Sequence, residues 1–233
     1  MKNLYKKLVL KNGLTVITAD MPGMESISIG VWIGTGGRYE TKEQSGISHF
    51  LEHMLFKGTK TRSAQQLKEA IEGRGGAFNG FTGEEYTCFI ARVLSKDVEI
   101  AVDILSDMTI NPALAETDFI KEKTVILEEI KMYMDMPNQY VHELLAELMW
   151  PNQPLCMPLA GTLKTVSSLT RDHLAAYCAD FYKPSSMVVS IAGKLPSFDL
   201  SDCLRKRFAP ARGGAKKTFP RAVIDQKKPA DIL

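Results

Sequence analysis

The chain has 233 residues, 45% of them hydrophobic, with a formal net charge of +2 at neutral pH. That is enough apolar material for one large core or two small ones, and the near-neutral balance excludes a strong preference for polyanions. Four widely spaced cysteines, Cys88, Cys156, Cys178 and Cys203, exclude a disulfide scaffold or a zinc ribbon and read as free thiols of a reducing compartment.

In chain order, two strands flank a Lys11-Asn12-Gly13 turn, over about 5–10 and 15–19, and a third covers 26–33. A helix follows, with Ser45 as its cap, Ile47, Phe50, Leu51, Met54 and Leu55 as its apolar stripe and Gly58 as its stop. Next come a helix over 63–72, strands over 77–82 and 86–93 turning near Gly83-Glu84, and a helix over 96–108. A long helix spans about 115–136, Pro137 breaks it, and a second runs over 139–149. A proline-rich loop leads to a helix over 170–181, a core strand over 187–192 and a short helix over 200–208. Strands and helices without regular βαβ alternation give an α+β class, a mostly antiparallel sheet with helices packed on one face. The domain reading is a unit over 1–208, then a basic, glycine-containing linker from 209. Its lysines and arginines lack interleaved aromatics, so they read as solvating charges and no nucleic-acid partner is expected.

The start of the chain, Met1-Lys-Asn-Leu-Tyr-Lys-Lys-Leu8, has charge but no apolar core of a signal peptide, and no apolar run is long enough for a membrane span. The expectation is a soluble cytoplasmic protein with no membrane partner.

The chemistry concentrates in His49-Phe50-Leu51-Glu52-His53. On a helix, His49 and His53 stand one turn apart on one face and can share a single Zn²⁺, while Glu52 lies on the same flank, placed to take a proton from water. This is the H-x-x-E-H order. A catalytic zinc needs a third protein ligand, and the only other histidines are His142 and His173, so a distant carboxylate is expected. On the long helix, Glu128 shares its face with Lys121, Thr124, Lys131 and Asp135 and reads as solvated. Glu129 shares its face with Glu122, Val125 and Met132. Two carboxylates on a partly apolar face need a compensating cation or metal-bound histidine, which assigns Glu129 as ligand and Glu122 as its support in the catalytic group.

The run His49 to Thr59, with Gly75 to Thr82, Glu85 to Thr87, Val125 to Ile130, Gly161-Thr162 and Phe181 to Pro184, resembles the pitrilysin/insulinase family of zinc peptidases, most closely its mitochondrial processing peptidase-like branch. The resemblance covers nearly the whole chain. It implies a zinc-dependent endopeptidase with one Zn²⁺ per chain on His49, His53 and Glu129, Glu52 as general base, and Glu122 at the family's second glutamate position. It also favours Asn79, Gly80, Phe81 and Thr82 as the edge strand that pairs with a peptide substrate, although Gly80 and Phe81 replace the more usual alanine and tyrosine. Family members close two homologous halves around the peptide, and residues 219–233 resemble the start of a second half. A homodimer or a separate second-half subunit is therefore expected as partner. The alternative class is a non-catalytic scaffold subunit, whose mark would be a damaged motif; here the motif is intact.

Overall fold

The computed structural model describes residues 5–209, 214, 215 and 217–224. Six strands form one sheet in the order β1-β2-β6-β3-β5-β4: β1 (Lys6–Val9), β2 (Thr15–Asp20), β3 (Ser26–Ile33), β4 (Ala77–Thr82), β5 (Thr87–Leu94) and β6 (Met187–Gly193). All neighbours are antiparallel except β2 and β6, which run parallel from Thr15 beside Val188 to Asp20 beside Gly193. Strict alternation builds the covered face: Ile27, Ile29, Val31 and Ile33 of β3, Phe89 and Ala91 of β5, and Met187, Val189 and Ile191 of β6 are at most 1% exposed. The opposite face of β3 carries Ser28, Gly30 and Trp32.

Among the described residues eight helices accompany the sheet: α1 (Ile47–Leu55), α2 (Ala64–Glu72), α3 (Val98–Ile110), α4 (Glu116–Met134), α5 (Pro137–Met149), α6 (Leu163–Ser168), α7 (Arg171–Phe181) and α8 (Leu200–Phe208). Helix α1 buries the expected stripe completely: Ile47, Phe50, Leu51, Met54 and Leu55 have no exposed surface. Each such side chain contributes roughly 1.5–3 kcal/mol of transfer free energy. Phe50 stacks on Phe119 of α4 with ring centroids 4.9 Å apart, which locks the histidine helix against the glutamate helix. Truncating Phe50 to alanine would cost about 3–5 kcal/mol.

Several boundaries differ from the sequence expectation. Pro137 opens α5 as its first residue, because a missing N–H costs nothing there. Helix α6 was not anticipated; its capping box uses Thr162 and Thr165 rather than the Glu or Gln that makes the signature recognisable. On α4 the buried stripe is Phe119, Glu122, Ile126 and Ile130, whereas Val125 and Met132 are about half exposed, so Glu129 sits at the margin of the core. No described helix is long and apolar enough to cross a membrane.

Of the expected linker and second-half start, residues 210–213, 216 and 225–233 lie outside the described residues. The described part is held against the domain. Phe219 packs edge-on to Tyr39 at 5.1 Å with the Arg38 guanidinium 3.9 Å over its ring, and Gln153 bonds both backbone groups of Val223.

Candidate metal centre

Helix α1 presents His49 and His53 on one face, and α4 crosses it at Glu129. The carboxylate Oε2 of Glu129 lies 3.8 Å from Nε2 of His49 and 3.7 Å from Nε2 of His53. One donor atom from each of the three residues falls within 4.8 Å of the others. His142 and His173 are not brought to this place, and Glu128 turns away to pair with Lys131 at 2.7 Å.

The protonation pattern leaves lone pairs, not protons, at the centre. Nδ1 of His53 lies 3.2 Å from Oε2 of Glu122, a contact that selects the tautomer in which Nδ1 donates and Nε2 keeps its lone pair. Burial, reinforced by the neighbouring His53, pulls the His49 imidazole down to about 4, so its ring is neutral at physiological pH. Tyr133 donates its hydroxyl to Oε1 of Glu129 at 3.2 Å, turning Oε2 toward the histidines, where it is buried with no hydrogen-bond partner. Three convergent acceptors without a donor between them fit a divalent cation, and a His₂Glu set suits Zn²⁺.

Two supports of this arrangement were not read from the sequence. Lys57, one turn beyond His53 and just outside the helix, reaches Oε1 of Glu122 at 2.7 Å. It supplies the cation that buried Glu122, 7% exposed, requires. Tyr133 stands one turn beyond Glu129. Both were legible in principle as i, i+4 neighbours of a ligand.

Glu52 projects beside the centre toward β4. Burial pushes its carboxyl above the ordinary carboxylate range; the nearby His53 opposes this and the Glu129 charge adds to it. Thr82 of β4 makes a long contact to Oε2 of Glu52 at 3.5 Å. Gly80 leaves the space the Glu52 carboxylate occupies: a Cβ there would come within 2.8 Å of both Oε1 of Glu52 and the Phe56 ring. Beside it opens a cleft of about 530 Å³, lined by Glu52, His53, Phe56 and Lys57 on one wall and Phe78 and Asn79 on the other.

The four expected peptide-contacting residues divide between two faces of β4. Gly80 and Thr82 face Glu52, Asn79 caps the backbone N–H of Gly80 at 2.9 Å, and Phe81 turns to the far face of the sheet. There Phe81 packs edge-on to Trp32 and Tyr86, so its side chain is not brought to the cleft. The expected helix cap also differs: Gly46, not Ser45, holds the N-cap position of α1, and Oγ of Ser45 is buried without a partner.

Residues 15–163 match the sequence profile of the insulinase family, peptidase family M16. The chain belongs to that family. An uncharacterised zinc protease of Bacillus subtilis, YmxG, is 42% identical over 215 residues, 92% of this chain and 52% of that protein. An uncharacterised zinc protease of Rickettsia felis is 39% identical over 219 residues, 94% of this chain and 53% of that protein. The chain thus spans about half the length of the curated relatives it matches. In fold it resembles a protease from Helicobacter pylori, with a TM-score of 0.87 at 22% identity over 94% of this chain and 53% of that one. It also resembles an inactive M16 domain from Pseudomonas fluorescens, with a TM-score of 0.86 at 16% identity over 94% of this chain and 54% of the other. The fold of this chain is therefore that of about one half of such proteins.

Proposed function

We propose that the chain is the metal-binding half of a zinc-dependent endopeptidase that cleaves extended or unfolded peptides. The convergence of His49, His53 and Oε2 of Glu129, with Glu52 beside them, carries this reading. When bound, zinc supplies Lewis acidity that makes water a nucleophile near neutral pH and polarises a carbonyl. The protein's own part is positional and acid–base. Glu52, its carboxyl raised by burial, accepts the proton of the attacking water and returns it to the leaving amine. Glu122, held by Lys57, keeps His53 in the tautomer whose Nε2 faces the centre. The free edge of β4 offers backbone groups to the peptide along Asn79, Gly80, Phe81 and Thr82, and the cleft under Phe56 and Phe78 receives a side chain.

Glu52→Gln tests this. The variant should retain one zinc by elemental analysis and lose cleavage of a quenched, unstructured peptide; hydrolysis by the zinc-loaded variant would overturn the role of Glu52. Because the chain spans about half of its relatives, assembly belongs to the proposal: a second copy or a separate second-half subunit completes the enclosure around the peptide. The same half-length coverage supports a second reading, a non-catalytic partner in a two-chain assembly. Zinc-loaded protein that stays inactive after mixing with its second half would favour that reading.

A further inference from the structure

The three ligand residues of the proposed centre are not supported equally. His53 is oriented by Glu122 and Lys57, and Glu129 by Tyr133, through hydrogen bonds to their second polar atoms. Nδ1 of His49 is buried with no hydrogen-bond partner among the described residues. The ring packs edge-on to His53 with centroids 4.6 Å apart but no described hydrogen bond fixes it from behind, so its aim depends on the backbone of the first turn of α1.

That turn has no ordinary cap. Gly46 occupies the N-cap position at φ +92°, and a Cβ there would lie 2.5 Å from the carbonyl oxygen of Ala160. No serine, threonine, asparagine or aspartate can therefore stand at this position and satisfy the free N–H groups of the turn. The carboxylate of Glu40 does so from six residues upstream. Oε2 accepts the Gly46 N–H at 2.7 Å and Oε1 accepts the Ser48 N–H at 2.8 Å, and Glu40 is only 4% exposed. Among the described residues no lysine or arginine pairs with it; burial pushes its carboxyl up to about 7, opposed by the hydrogen bonds from Ser48 and Gly46 at the start of α1, which favour the ionised form. Ser48, the residue before His49, is clamped a second time: its Oγ lies 3.0 Å from the hydroxyl of Tyr177, which in turn lies 2.7 Å from Oγ1 of Thr35.

Resting on the metal-centre reading above, we propose that Glu40 is the positioning residue for His49, substituting for the absent hydrogen bond on the imidazole by fixing the peptide that carries it. Glu40 touches neither metal nor substrate. It acts through the backbone amides of Gly46 and Ser48.

The test is Zn²⁺ affinity, by competition with a chromophoric chelator, together with the visible spectrum of the Co²⁺-loaded protein, for wild type, Glu40→Gln, Glu40→Asp and Ser48→Ala. A carboxamide turns a donor toward one of the two N–H groups, so Glu40→Gln should weaken Zn²⁺ by about 10–100-fold and alter the Co²⁺ bands. Ser48→Ala keeps both backbone bonds to Glu40 and loses only the hydroxyl clamp, so it should weaken Zn²⁺ by less than Glu40→Gln does; a loss as large as that of Glu40→Gln would overturn the assignment. Should Glu40→Gln not fold by circular dichroism, Glu40→Asp, which keeps the charge but is too short to span both amides, carries the same expectation. Wild-type affinity and an unchanged Co²⁺ spectrum in a folded Glu40 variant would overturn the assignment. Wild type that binds no metal would overturn the centre itself, and this inference with it.

Discussion

The two outer strands of the described sheet are both edges, yet they are built for opposite ends. Strand β1 is four residues long, exposed throughout, and begins with Lys6 and Lys7, the charge and brevity by which proteins keep an edge from recruiting another strand. Strand β4 carries no charge between Ala77 and Thr82, is backed by α1, and sets Gly80 and Thr82 against Glu52. One edge repels a partner strand and the other leaves room for one directly beside the reactive groups. On the proposed function, only the edge whose flanking chemistry is arranged to use it serves as a binding feature.

The sharpest way to break this contrast is to fill β4. Gly80→Val should lower peptide-cleavage turnover by roughly 10²-fold while zinc content holds, because a side chain there meets Glu52 and Phe56 and displaces the base. Turnover at the wild-type rate would show that β4 is an ordinary hairpin strand. Next in size, Lys57→Met should weaken Zn²⁺ by about 10-fold in a chelator competition, since Glu122 then loses its cation and its grip on His53 slackens.

A smaller effect concerns the turn that ends β4. Burial raises the Glu84 carboxyl to about 7, and its Oε2 is buried without a hydrogen bond. Below the ordinary carboxylate range the group is protonated in both folded and unfolded chains; above about 7 it is ionised in both and the folded chain bears the burial cost. Stability contributed by this group therefore falls as pH rises through that window. Glu84→Gln should add about 1 kcal/mol at pH 8, a figure reduced for partial exposure, and almost nothing at pH 4.5, measured by denaturant unfolding. The least effect on catalysis belongs to β1: Lys6→Thr with Lys7→Thr should leave turnover unchanged and raise self-association in light scattering.

Much of this arrangement was legible in the residues alone. The alternation of Ile27, Ile29, Val31 and Ile33 is a local period and gave β3, and the five residues from His49 to His53 gave one wall of the metal centre. The choice of Glu129 over Glu128 followed from helix faces, although the apolar company expected for it, Val125 and Met132, is half exposed. What escaped was what sequence distance hides. Glu40 caps a helix six residues away, around a glycine whose backbone no pattern of side chains reports, and Ser45, the plausible cap, is turned aside. The parallel pairing of β2 with β6 escaped for the same reason: a period of two says which face is buried but not which strand lies alongside.

That pairing sets the order in which the molecule can be made. Strand β6 lies between β2 and β3, so the last of the described strands to be synthesised is the one that joins the first hairpin to the rest of this sheet. The stretch from β3 to α4, which holds every residue of the proposed metal centre, leaves the ribosome with its sheet still open on one side. Closure waits for Gly193, a contact some 170 residues away in the chain from Asp20 and correspondingly slow to find. The proposed metal centre is thereby left without its complete sheet until β6 has emerged.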